Sequence, residues 1–178
     1  MKIPEIIIPV NTIEDIYFVK DTKCKNIYVY HSNFLKKAGH DKLIEFINVS
    51  KENNLNFYIN FKSEIKETEI KKIIDLFELL KILDFKGILV NNLAILEIVK
   101  NTKFPHKIII DSGLNIHNLT SAEFISSVYK PQMINITEEI YLKNLLKIKK
   151  YTNYKLAIDS NNLPWIAKEV IIMKSLIR

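Results

Sequence analysis

Short, continuous apolar runs alternate along this chain with longer stretches in which apolar positions recur every three or four residues. The runs are Glu5-Ile6-Ile7-Ile8, Asn26-Ile27-Tyr28-Val29-Tyr30, Asn56-Phe57-Tyr58-Ile59-Asn60, Gly87-Ile88-Leu89-Val90, Lys107-Ile108-Ile109-Ile110, Gln132-Met133-Ile134-Asn135-Ile136 and Lys155-Leu156-Ala157-Ile158. Runs rich in β-branched residues read as parallel strands that helices cover. Between them, residues 41–53 carry Leu43, Ile44, Ile47 and Val49 largely along one side. Residues 67–83 carry Ile70, Ile73, Ile74, Phe77, Leu80 and Leu83 with Lys and Glu opposite, the stripe of an amphipathic helix. Residues 93–100 and 121–128 share that period.

Helix-start residues stand where the pattern needs them: Asn11 or Thr12 before Glu14 and Asp15, Thr120 or Ser121 before Glu123, and Thr137 before Glu138 and Glu139. Strands therefore begin every ~20–30 residues, the spacing of right-handed βαβ units. No linker rich in Pro, Gly or Ser interrupts the series, so residues 1–178 are expected to form a single domain. The expected class is α/β, an incomplete TIM-type (β/α) barrel of about seven βα units with parallel strands. A whole barrel of eight units takes about 250 residues, so 178 residues fall short of one. The first loop, Pro9-Val10-Asn11-Thr12, has no glycine, which argues against a dinucleotide-binding turn.

Composition narrows the class further. With 48% hydrophobic and 26% charged residues the chain is neither a disordered tail nor a fibre. Cys24 is the single cysteine, so it cannot form an internal disulfide or a cysteine-held cluster, and a structural or exposed thiol is expected there. No apolar run approaches the ~18 residues that span a bilayer, and Met1-Lys2-Ile3-Pro4-Glu5 does not begin a signal peptide. A cytoplasmic protein without a membrane partner is expected. The formal charge of +6 comes from scattered lysines, with Lys36-Lys37, Lys71-Lys72, Lys147 and Lys149-Lys150 as the dense spots. Arg178 is the single arginine, and nucleic-acid binding, which wants Lys and Arg focused on one face, is not expected.

Candidate chemistry is sought at the carboxyl ends of the strands, where α/β sheets bind ligands. That rim holds Pro9 and Asn11, then His31, Ser32 and Asn33, then Asn60 and Lys62, then Asn91 and Asn92. It continues with Asp111, Ser112, Asn115, His117 and Asn118, then Thr137, Glu138 and Glu139, then Asp159, Ser160, Asn161 and Asn162. Asp111, Glu139 and His31 are the catalytic candidates, as acid, base or orienting group. Asn11, Tyr30, Asn92, Asn115 and Asn118 are the substrate-binding candidates. The competing role for each Asn or Ser is ordinary helix capping, in which the side chain bonds a nearby backbone N–H. His40 and His106 fall at the other end of the units and are expected to be exposed. No Gly-x-Ser-x-Gly or His-Glu-x-x-His motif occurs, and neither a cofactor nor a metal site is expected.

Several of these segments resemble the amino-terminal barrel region of the collagenase-like peptidases, family U32. Glu5-Ile6-Ile7-Ile8-Pro9-Val10-Asn11 is similar to that family's first strand and Ala-Pro-Ala-Gly turn, with Asn11 in place of the glycine. Residues 26–30 resemble its Ala-Val-Tyr-Leu-Gly strand, and Gly87-Ile88-Leu89-Val90-Asn91-Asn92-Leu93 resembles a Gly-Ile-Leu-Val-Ser-Asn-Leu stretch. Residues 111–118 resemble a Leu-Asn-x-x-Asn motif after the fifth strand, and Glu139-Ile140 a Glu-Leu after the sixth. The likeness runs from about residue 5 to 170. It implies a barrel fold and a peptidase, or a protein of oxygen-independent hydroxylation in which cysteines beyond the sixth strand hold an iron–sulfur cluster. Residues 162–171 resemble the segment that leads into such a cysteine, and here Val170 or Ile171 occupies its place.

The resemblance and that departure imply a truncated or degenerate relative without catalytic activity of its own, acting through a protein partner or a homo-oligomer. Residues 165–177, apolar on most sides, are expected to be buried against the open barrel edge or against a partner chain. The alternative is a small hydrolase-like enzyme using the polar rim.

Overall fold

The computed structural model describes residues 6–61, 65–136, 140–151 and 155–158, which fall into two compact units, residues 1–107 and 108–178. In the first unit, β1 (Ile7–Pro9), α1 (Ile13–Lys20), β2 (Asn26–Tyr30), α2 (His40–Glu52), β3 (Asn56–Phe61), α3 (Ile70–Ile82), β4 (Gly87–Val90) and α4 (Leu93–Asn101) follow one another. The four strands are all parallel and pair in chain order, with Tyr28 opposite Tyr58 and Tyr30 opposite Asn60 across β2 and β3.

Side chains of a strand point to alternate faces, so this register sorts the sheet. One face holds Ile27 and Val29, Phe57, Ile59 and Phe61, and Ile88 and Val90, all buried. Leu43, Phe46 and Ile47 of α2 and Ile73, Leu76, Phe77 and Leu80 of α3 are buried with them. Phe46 meets Phe57 at 6.3 Å and Phe77 meets Phe61 at 5.0 Å between ring centroids, which identifies this as the helix-covered side. Each fully buried phenylalanine contributes up to about 3 kcal/mol of transfer free energy. The opposite face carries Asn26, Tyr28 and Tyr30 beside Asn56, Tyr58 and Asn60. Along β2 and β3 it is polar where the helix side is apolar, and on β4 the buried Leu89 lies opposite Asn60.

β5 (Lys107–Ile110) begins on the last residue of the first unit, and the second unit continues with α5 (Leu119–Tyr129), β6 (Met133–Ile136), α6 (Leu142–Tyr151) and β7 (Lys155–Ile158). Its strands are parallel as well, with Ile109 opposite Met133 and Ile134 opposite Leu156. α5 packs on α6, burying Ile125 and Ile148. The architecture is thus α/β, parallel strands alternating with helices.

Some helix starts follow the sequence expectation and others differ from it. Thr12 caps α1 in a reciprocal box with Asp15, whose carboxylate accepts from the Asn11 and Thr12 backbone N–H groups and is thereby held below the usual carboxylate range. Two 3-10 turns, His31–Phe34 and Lys37–Gly39, intervene before α2, and another, Glu67–Glu69, precedes α3. The buried stripe of α2 is Leu43, Phe46, Ile47 and Ser50 rather than one through Ile44 and Val49, and Ser50 Oγ satisfies itself on the Phe46 carbonyl at 2.6 Å. α5 is capped by Asn118, ahead of Thr120 and Ser121. α6 starts at Leu142, beyond Glu138 and Glu139, which lie outside the described residues. His106 is not simply exposed: its ring lies 4.3 Å from that of Phe85, and its Nε2 is 3.0 Å from the Leu80 carbonyl.

Candidate functional site

The carboxyl end of β2 runs directly into His31, which is 2% exposed. By strand alternation His31 continues the Ile27–Val29 side and not that of Tyr28 and Tyr30. Its ring stacks on Phe61 at 4.9 Å, and its Nδ1 lies 3.3 Å from the Asn60 carbonyl. Burial pushes the imidazole pKa down, outweighing the Asn60 carbonyl and the more distant Glu69, which favour the charged form. The structure therefore places His31 among the core aromatics of β3 and α3, where burial favours its neutral ring.

Tyr30 lies on the polar face, where its hydroxyl is 3.4 Å from that of Tyr28 and the two rings meet edge to face at 5.5 Å. Its opposite number on β3, Asn60, is 2% exposed. The Asn60 side-chain oxygen has no hydrogen-bond partner among the described residues. At the amino end of the same face Asn56 donates to Asn26 at 2.9 Å, and Asn26 donates to the Ile6 carbonyl. Cys24 Sγ also donates to that carbonyl, at 3.1 Å, a structural contact. The signal for this polar face was present in the sequence as Asn26, Tyr28, Tyr30 and Asn56, Tyr58, Asn60, polar or hydroxyl-bearing residues at every second position.

The remaining candidates of the first unit serve the helices. Asn11 is exposed, and its backbone N–H donates to Asp15. Asn92 caps α4, its side-chain oxygen accepting from the Ala94 N–H at 2.8 Å.

In the second unit Asp111 follows β5 and is 7% exposed. Its Oδ1 accepts from the Ser112 N–H at 2.9 Å and from Asn135 Nδ2 at 3.2 Å, across to β6. That leaves Asn135 Oδ1 buried without a partner among the described residues. Asn115 is exposed and adopts the left-handed conformation, φ 52° and ψ 50°, which Asn tolerates in a tight turn. Asn118 Oδ1 accepts from both the backbone N–H and the hydroxyl of Ser121. The carbonyl of His117 accepts from Asn144 of α6, tying that loop down. Asp111 and Asn135 are thus brought together, and Asn115 and Asn118 lie further along the same loop. Glu139, Lys62, Thr137, Glu138, Asp159 to Asn162 and the segment 165–177 lie outside the described residues. Among the described residues no cluster of three or more His, Cys, Asp and Glu forms a metal-ligand set, and no helix is long and apolar enough to cross a membrane.

Comparison with known proteins adds to this geometry. The family model for Peptidase family U32 matches residues 19–160. No curated protein matches the chain. Among solved structures, MenC from Desulfotalea psychrophila LSv54 is similar over 89% of this chain, at a TM-score of 0.51 and 11% identity. The chain spans 47% of that protein's length. At such identity the likeness concerns the fold alone.

Proposed function

This chain belongs to peptidase family U32, and on that footing we propose that it is a degenerate member without catalytic activity of its own, acting through a protein partner or a second copy of itself. The observation that carries this reading is the employment of its two described catalytic candidates. His31 is stacked in the core, with burial opposing its protonated form, and Asp111 spends one carboxylate oxygen on the Ser112 N–H and Asn135. A general acid or base needs a proton-bearing atom within reach of substrate, and a ring packed on Phe61 does not offer one.

The finer architecture belongs to the same proposal. Both units are read as parts of one domain, an incomplete TIM-type barrel of about seven βα units. The strand-helix alternation and the fold likeness to MenC support that reading. Among the described residues β1 pairs on one side only, with β2, and Ile6 next to it in sequence and Tyr17 and Phe18 of α1 are half or more exposed. An unpaired strand edge flanked by apolar side chains is what a partner chain covers. The sequence of residues 165–177, apolar at most positions, is proposed as a second partner-binding segment. A cytoplasmic location follows from the same reading.

Light scattering on the eluting peak of a size-exclusion column tests the proposal, together with hydrolysis of gelatin and of a fluorogenic peptide. A dimer or larger assembly with no hydrolysis is expected. A strict monomer, or hydrolysis that Asp111→Asn abolishes, would overturn it.

A second reading, a small hydrolase-like enzyme using the polar strand ends, is favoured by one observation. Asn60 and Asn135 each bury a side-chain oxygen with no partner among the described residues, and unspent hydrogen-bonding capacity is characteristic of ligand sites. Hydrolysis that survives in His31→Phe and is lost in Asp111→Asn would favour this reading over the first.

A further inference from the structure

At the end of the first unit where β3 begins, a cleft of about 160 Å³ opens between α2, β3 and the turn from α3 to β4. Ile47, Leu55, Phe57 and Phe85, all buried, form its floor. His106 packs against Phe85 and bonds the Leu80 carbonyl, which fixes that wall. Lys51, Asn56, Asp84 and Lys86 complete the lining. Lys51 Nζ and Asp84 Oδ2 are 2.7 Å apart and neutralise each other, and the Lys51 ammonium holds the Asp84 carboxyl below its usual range. Lys86 makes no ion pair among the described residues, so the mouth carries one uncompensated positive charge over an apolar floor.

Size and charge together select a ligand class. A benzene ring fills a space of about 150 Å³, so this solvent-open cleft has room for one. A ring alone would leave the lysine unanswered, and an amine would meet Lys86 while the Asp84 carboxylate is already engaged. We propose that this cleft binds a small aromatic carboxylate, its ring on Leu55, Phe57 and Phe85 and its carboxylate against Lys86. The site goes beyond the proposed function: it lies at the amino end of β3, away from Tyr30 and Asn60 at the carboxyl ends of β2 and β3.

Benzoate is the probe, titrated into the full chain labelled with nitrogen-15. Saturable amide shifts confined to the surroundings of Leu55, Phe85 and Lys86 are expected. Reversing the charge with Lys86→Glu should weaken benzoate about tenfold, from Coulomb energies at a solvated site. Lys86→Arg keeps the charge and should keep the affinity, and benzylamine should not bind. Melting curves accompany each variant; if Lys86→Glu does not fold, Lys86→Gln replaces it, with a weakening of about threefold expected. No saturable shifts with benzoate, shifts elsewhere on the chain, equal binding of benzylamine, or unchanged affinity in the folded charge variant would each overturn the proposal.

Discussion

The imidazole of His31 lies 4.9 Å from the ring of Phe61 and is tilted from it by 21°, and Phe61 stacks in turn on Phe77 of α3 at 5.0 Å. A residue at the end of a strand, where ligand-binding groups collect, is here the outermost member of an aromatic column in the core. Its position follows from the two-residue period of β2, which sends Tyr28 and Tyr30 to one side and Ile27, Val29 and His31 to the other.

Stability should therefore depend on pH through His31. Its folded pKa lies below the ordinary 6.5, so the unfolded chain binds the proton more tightly. The contribution is present in full above pH 6.5 and is lost as pH falls below it, with a slope of at most about 1.4 kcal/mol per pH unit for one proton. Urea melts at pH 7.5 and 5.5 should show the wild type losing more stability than His31→Phe. Equal losses in the two proteins would show that His31 does not titrate as described.

The column itself should be expensive to break. Phe61 and Phe77 are fully buried, and Phe77→Ala should cost about 3–5 kcal/mol, read as a lower urea midpoint at unchanged slope. A cost below about 1 kcal/mol would mean that the helix-covered face is not close-packed.

Gly87 opens β4 where the chain passes very close to Lys107: a Cβ there would meet the Lys107 carbonyl oxygen and carbon. Both atoms belong to the backbone and cannot swing aside. Gly87→Ala should destabilise by about 1–3 kcal/mol in the same melts, the cost of overpacking. Unchanged stability would show that β4 and residue 107 separate without strain.

Asn60 offers the opposite sign. Its side-chain oxygen is buried without a partner among the described residues, and an unmet buried acceptor costs about 1–3 kcal/mol. Asn60→Leu, close in volume and apolar, should be neutral or stabilising by about 1 kcal/mol. Clear destabilisation would show that a group bound in solution satisfies the amide.

Removing the Thr12 cap tests the start of α1. Thr12→Ala breaks the bond from the Asp15 N–H and should cost about 1 kcal/mol. Unaltered stability would show that the Asp15 carboxylate, bonded to Asn11 and Thr12, holds the turn alone.

Much of the fold was legible because its signals are local. Runs such as 56–60 and 87–90 read as strands from β-branched and aromatic residues alone, and the helix stripe of Ile73, Phe77 and Leu80 needed only the 3.6-residue period. Even the sorting of His31 from Tyr30 is contained in strand alternation. Capping was ambiguous because several oxygen-bearing side chains stand near each helix start, and backbone geometry selected Asn118 over Thr120 and Ser121. What tertiary structure alone decided are the relations across strands. That Asn135 would reach Asp111, that Tyr30 would lie opposite Asn60, and that Lys51 would meet Asp84 beside Lys86 depend on register and loop path. Those are set by packing among residues about 20–35 positions apart, to which no short stretch of sequence responds.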